Sequence, residues 1–213
     1  MTYLDRFSSK FFSRLLKPAN PQGYVRDRAT SLELVFELLE QKKDKNFTIL
    51  ETGCMRADHG QLALGDDGAS TYLFDDFINF YDGEVISVDI KQENVNHAQA
   101  MVSDRTTVYC EDSVSFLHNL SSRTKLDLLY LDSYDFDPEN PIPSQLHHMK
   151  ELCAAQKNLK KGTIVMVDDH ANTPNFDWFT ATAKGGKAGF VENYMKNIDA
   201  ELLHDGYQIV WRV

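Results

Sequence analysis

The chain has 213 residues, 42% hydrophobic and 25% charged, which fits one α/β domain with a sizeable core and excludes disordered and collagen-like classes. Its 32 Asp and Glu against 22 Lys and Arg leave a formal net charge of −10, a surface that repels phosphate backbones and anionic lipid, so neither nucleic acid nor a membrane is an expected partner. Three scattered cysteines, Cys54, Cys110 and Cys153, form no CxxC pair; the count suits a reducing compartment and offers no zinc site.

In chain order, Leu4, Phe7, Phe11, Leu15 and Leu16 recur at helical spacing before Pro18 and Pro21 end the pattern. Asp5, Arg6, Lys10 and Arg14 interrupt this helix, so it lacks a signal-peptide core, and no run approaches the roughly 18 apolar residues of a membrane span. A cytoplasmic location is expected. The amphipathic helix packs on the core, closes over a substrate, or meets a second copy in a homo-oligomer; the pattern leaves all three open. A second helix is expected over 29–42.

A strict alternation follows. Strand-like runs lie at "FTILETG" (47–53), "EVISVDI" (84–90), "TTVYCED" (106–112), "LDLLYLD" (126–132) and "GTIVMVDD" (162–169), with helical patterns at 70–81, 92–101, 114–120 and 144–159 between them. Strand and helix in turn imply right-handed βαβ units and a doubly wound, mostly parallel sheet covered on both faces. The last segment reads as a helix, a short extended piece, a turn at Asp205-Gly206 and a final strand, an antiparallel hairpin at the sheet edge. A single domain over 1–213 is expected, with N-terminal helices over 1–45 and the core over 46–213. The long connections 54–69 and 170–187 are candidates for functional loops.

Ligands of such sheets bind beyond the carboxyl ends of the strands. Acids stand there: Asp89, Asp112, Asp132 and the pair Asp168 and Asp169, with Glu51 just before Gly53. "LETGCMRADHG" is a strand entering a glycine turn, but Met55 occupies the place of the second glycine of a GxGxxG motif, which hinders close approach of a pyrophosphate. Asp89 is placed to accept hydrogen bonds from ribose hydroxyls; capping the next helix is the competing role for it and for Asp112.

The series Glu51-Thr52-Gly53, Asp89 and Asp112-Ser113 resembles the class I methyltransferases, which bind S-adenosylmethionine on a Rossmann-like seven-stranded sheet with a terminal antiparallel hairpin. The resemblance implies Glu51 and Gly53 beside the methionine part, Asp89 on the ribose and Asp112 with Ser113 at the adenine. Ser70 and Thr71 open the following helix, where backbone amides suit the methionine carboxylate.

"GTIVMVDDH" places two carboxylates side by side, which repel by roughly 3 kcal/mol at about 5 Å and an effective dielectric near 20. Neighbouring strands lie about 4.8 Å apart, so Asp132 can converge with them, provided that the strand breaks between Asp168 and Asp169. Three carboxylates in one small space call for a hard divalent cation, Mg²⁺ or else Mn²⁺; a bare acidic turn is the alternative. The layout also resembles the metal-dependent small-molecule O-methyltransferases of the catechol and macrocin type, whose metal ligands fall at the positions of Asp132, Asp168 and Asp169. That resemblance places a general base at Asp135, with His147, His148 and His170 as competitors. Phe136, Phe176, Trp178 and Phe179 are candidates to wall a substrate pocket, and Gly185-Gly186 to hinge the loop. The expectation is an S-adenosylmethionine- and Mg²⁺-dependent O-methyltransferase acting on a small hydroxylated metabolite, a sugar diol or catechol-like molecule. The rivals are an NAD(P)-dependent oxidoreductase and a non-catalytic S-adenosylmethionine-binding protein.

Overall fold

The computed structural model describes residues 2–17, 26–56, 64, 69–170 and 185–213. Seven strands form one sheet: β3 (Asn46–Thr52), β4 (Asp82–Asp89), β5 (Thr106–Cys110), β6 (Leu128–Leu131), β7 (Ile164–Val167), β8 (Glu201–Asp205) and β9 (Ile209–Arg212). Their order is β5-β4-β3-β6-β7-β9-β8, parallel from β5 to β7, with β9 antiparallel to both β7 and β8. The chain winds outward from β3 to β5, then returns to the other side of β3 at β6, so the switch point lies between β3 and β6. The expected antiparallel hairpin is present at the sheet edge, with β9 paired to β7 and β8 outermost.

The core strands are apolar on both faces because helices cover both. Side chains alternate: Ile49, Leu128, Tyr130, Ile164 and Met166 join one apolar cluster, while Leu50, Leu129, Leu131, Val165 and Val167 join the other. The first cluster is closed by α3 (Ala29–Glu40) and α4 (Ser70–Phe80), the second by α6 (Ser113–Asn119), α7 (Ile142–Ala155) and α8 (Gly189–Asn197). α5 (Gln92–Met101) packs beside β4 and β5.

The N-terminal segment is α1 (Tyr3–Phe7), a π-helical stretch over Ser8–Phe12 and α2 (Ser13–Leu15), followed by β1 (Leu16–Lys17), which pairs antiparallel with β2 (Arg26–Asp27). It packs on the core. Tyr3, Phe7, Phe11 and Leu15 are buried, and the rings of Tyr3 and Phe7 lie 5.0 and 5.1 Å from that of Phe36. The structure thereby supplies the packing role that the sequence pattern allowed. Pro18, Pro21 and the loop glycines Gly60, Gly65 and Gly68 lie outside the described residues. Among the described residues no helix is long and apolar enough to cross a membrane.

Most element boundaries lie within two residues of expectation. The run 162–169 shortens to Ile164–Val167, because Asp169 adopts a left-handed backbone, φ 46°, that no strand can continue. The helix expected to reach residue 159 ends at Ala155 and passes into a 3₁₀ turn over Gln156–Asn158.

Candidate active site

At the switch point Gly53 turns the chain out of β3 with φ 79° and donates its N–H to the Val88 carbonyl at 2.7 Å. A Cβ there would lie 2.6 Å from the Asp132 carbonyl oxygen, so glycine is required by backbone conformation and by space. Glu51, immediately beneath, is fully buried and accepts hydrogen bonds from the hydroxyls of Ser70, Thr71 (2.7 Å) and Ser87 (2.7 Å). Burial raises its pKa to about 7 against the opposing pull of those hydroxyls. Thr71 in turn accepts the Met55 N–H at 2.9 Å. Glu51 and Thr71 therefore fasten the start of α4 to the end of β3, while Ser70 reaches the cleft wall.

Two adjoining clefts open here and share Gly53, Asp89, Ile90 and Ser133. One is walled by Asp112, Ser113, Tyr134 and His147, the other by Met55, Arg56, Ser70, Asp132 and Asp135. Asp89 accepts the N–H groups of Lys91 (2.7 Å) and Cys54 (3.3 Å), which orients its carboxylate at the junction. Asp112 caps α6 by accepting the Ser115 N–H through Oδ1 at 2.9 Å, an interaction that, with the Ser115 hydroxyl, lowers its pKa. One side chain thus both caps the helix and lines the cleft.

The second feature is the acid trio. Asp132, Asp168 and Asp169 each offer a carboxylate oxygen within 4.8 Å of the others. The left-handed Asp169 supplies the required break after β7, so the two successive acids reach the same space. What offsets their repulsion is two basic residues that the sequence reading missed. Arg28, just before α3, grips Asp168 with Nε at 3.2 Å and Nη2 at 2.7 Å, and Gln208 adds its amide at 2.7 Å. Lys187 pairs with Asp132 Oδ1 and, at 3.0 Å, with Asp169 Oδ2, while the Tyr207 hydroxyl donates to Asp169 Oδ1.

Electrostatics follow from this packing. Burial, then the charge of Asp168, pushes the Asp132 carboxyl well up, with Lys187 only partly opposing. Burial acts likewise on Asp169, but Lys187 and Arg28 outweigh it and hold that group below the usual carboxylate range. Burial alone would discharge Lys187; Asp132 and Asp169 overcome it and keep the ammonium charged.

The trio has the donor chemistry of a hard divalent ion. A doubly charged ion taking the carboxylate oxygens that now hold the Lys187 ammonium would be repelled by that ammonium at close range. The acids therefore fit an ion once Lys187 withdraws.

The base candidates separate in space. Asp135 stands at the cleft mouth, largely exposed, 3.0 Å from Arg56. His147 lies in the other cleft, with Nε2 3.0 Å from Ser113 Oγ and 3.3 Å from Glu151, whose hydrogen bond raises the histidine's pKa. His148 is buried, its pKa lowered to about 4 by burial, and its Nε2 has no partner among the described residues. His170 is fully buried with Nδ1 3.0 Å from the Gly185 carbonyl and Nε2 3.0 Å from Asp205, so it fastens the hairpin and lines neither cleft. Phe136 is half-buried; Phe176, Trp178 and Phe179 lie outside the described residues.

Among solved structures the chain is similar to MycE, a methyltransferase of the mycinamycin biosynthetic pathway solved with Mg and SAH, at 16% identity and a TM-score of 0.62, covering 98% of this chain and 54% of that one. The fold is that of the S-adenosylmethionine-dependent methyltransferases. A second MycE structure, with Mg, SAH and mycinamycin VI, gives 16% identity and a TM-score of 0.61 over 98% of this chain and 54% of that one. The calicheamicin methyltransferase CalS11 gives 15% identity and a TM-score of 0.55 over 86% of this chain and 78% of that one. The chain spans about half the length of the MycE protein. No protein-family model matches the chain, and no curated protein is significantly similar in sequence. On this methyltransferase fold, Gly53, Asp89, Asp112 and Asp132 all stand at the carboxyl edge of the parallel strands.

Proposed function

We propose that the chain transfers the methyl group of S-adenosylmethionine to a hydroxyl of a small acceptor, a sugar diol or catechol-like molecule, with Mg²⁺ or Mn²⁺ held by Asp132, Asp168 and Asp169. The observation that carries this reading is the double position of Asp132, which lines the cleft shared with Gly53 and Asp89 and also belongs to the acid trio. A methyl donor in the cleft and an acceptor oxygen at the trio would be neighbours, and alignment is most of what methyl transfer asks of a protein.

In this reading Asp89 receives the ribose hydroxyls, Asp112 the adenine amino group, and Ser70 with the start of α4 the methionine carboxylate. A bound divalent ion would supply acidification and orientation of the acceptor hydroxyl. Asp135, steadied by Arg56 at the cleft mouth, accepts the hydroxyl proton as the carbon–sulfur bond breaks and the carbon–oxygen bond forms.

Calorimetry tests the cofactor: S-adenosylhomocysteine is expected to bind and NADH not, and Asp89→Ala to weaken binding at least tenfold. Methyl transfer to vicinal diols is expected to stop in chelator and return with Mg²⁺. NADH binding in place of S-adenosylhomocysteine would favour an oxidoreductase; transfer that persists with metal rigorously removed would delete the ion. Cofactor binding with no turnover on hydroxylated acceptors would mark a non-catalytic binding protein.

A further inference from the structure

We infer that Lys187 is the resident counter-ion of Asp132 and Asp169, and that the chain takes up a divalent cation only by exchanging it for this ammonium, so that Lys187 sets the affinity of the site. The inference deepens the functional reading and relies on it for the identity of the incoming ion.

Lys187 is among the largest fully buried side chains of the protein, and its ammonium is ion-paired with both acids. Its position is built into the backbone. Lys187 N–H donates to the Asp169 carbonyl at 3.1 Å, so the lysine is anchored to the residue that its own side chain neutralises. Gly186 has φ 52°, and a Cβ there would lie 1.8 Å from the Asp169 carbonyl oxygen; only glycine lets the turn approach so closely. The Gln145 amide holds the Gly186 carbonyl at 3.0 Å from the opposite side. A lysine fixed at its backbone and buried along its stem is placed to fill a site, unlike a surface lysine that has drifted toward negative charge.

The two halves of the trio differ in their freedom to exchange. Asp168 is held by Arg28 and Gln208 through hydrogen bonds to both oxygens and is fully buried. Asp132 and Asp169 retain side-chain exposures of 17% and 27%, and the cation they share is Lys187 on a short 3₁₀ turn, with Arg28 farther off at 4.0 Å from Asp169 Oδ1. A divalent ion must therefore enter on the Asp132–Asp169 side, where it meets the oxygens that Lys187 occupies. With Lys187 in place the acids are satisfied without metal, and the fold does not wait on an ion. With an ion bound, the ammonium must leave those oxygens.

Mn²⁺ binding by electron paramagnetic resonance tests the exchange in the full chain, Lys187→Met and Lys187→Gln, with circular dichroism and S-adenosylhomocysteine affinity as checks on folding. The expected result is one Mn²⁺ bound at least tenfold more tightly by the folded variants than by the parent, and lost again when Asp132→Asn is added. Equal or weaker binding by a folded variant overturns the exchange and leaves the metal reading standing; no Mn²⁺ binding by parent or variants overturns both. Should both variants fail to fold, amine labelling of the parent chain mapped by mass spectrometry decides. Lys187 is expected to be protected without Mg²⁺ and labelled at saturating Mg²⁺, and unchanged protection while Mg²⁺ binds overturns the proposal.

Discussion

Replacing Arg28 by methionine keeps most of the side chain's volume and removes the guanidinium that holds Asp168. In the native chain the two side chains are 7% and 1% exposed, joined by two hydrogen bonds, and the guanidinium carbon lies 4.9 Å from the centre of the Tyr207 ring. Without it, Asp168 keeps the Gln208 amide but is left buried beside Asp132 and Asp169 without its guanidinium. Removing one partner of a buried ion pair costs about 3–5 kcal/mol, because the other is left uncompensated. Against a total stability of about 5–15 kcal/mol this is a large fraction, and at about 2–4 °C per kcal/mol for a chain of this length the melting temperature falls by roughly 10 °C. Urea unfolding followed by circular dichroism measures the loss. The double variant Arg28→Met, Asp168→Asn removes the orphaned charge and is expected to recover at least half of it. A single-variant cost under about 1 kcal/mol, or a double variant no more stable than the single, would refute the claim that Arg28 neutralises Asp168.

Gly53→Ala forces a left-handed non-glycine residue at about 1–2 kcal/mol and drives a methyl into the Asp132 carbonyl; S-adenosylhomocysteine affinity is expected to fall at least tenfold by calorimetry, and unchanged affinity counts against this turn as the cofactor site. Glu51, with its pKa raised from 4.5 to about 7, holds an extra proton in the folded state between those values, so it lowers stability as pH rises through that window, by about 3 kcal/mol in all. Glu51→Gln should flatten the profile between pH 5 and pH 8 in urea unfolding, and parallel profiles would show that Glu51 does not titrate there. His147 has a raised pKa, first through Glu151, so the pair stabilises fully below the ordinary histidine value of 6.5 and loses that contribution as pH rises through the folded value. Melting curves from pH 6 to pH 9 should show this step in the parent and not in His147→Gln.

The alternation of apolar runs and helical periods was enough to place the parallel sheet and the terminal hairpin, because a strand covered on both faces must be apolar along its length and must end where its polar residues begin. The same logic located Gly53, Asp89, Asp112, Asp132, Asp168 and Asp169, since the carboxyl end of a parallel strand is where a side chain leaves the core. The partners of those acids left no such trace. Arg28 lies 140 residues from Asp168, at the start of a helix whose apolar pattern says nothing about it. Lys187 sits in "GGKAG", a run that reads as a hinge, and its buried ammonium became recognisable only once the turn was seen against Asp169.

Order along one strand or helix is a local property, set by side-chain periodicity and backbone propensity, and is therefore written in the chain. Which charges meet across the carboxyl edge depends on strand order, on β9 slipping between β7 and β8 to bring Tyr207 and Gln208 over the acids, and on a glycine turn that delivers Lys187 to them. Long-range electrostatic pairing has no period. It exists only when folding has brought the groups together and taken the water away.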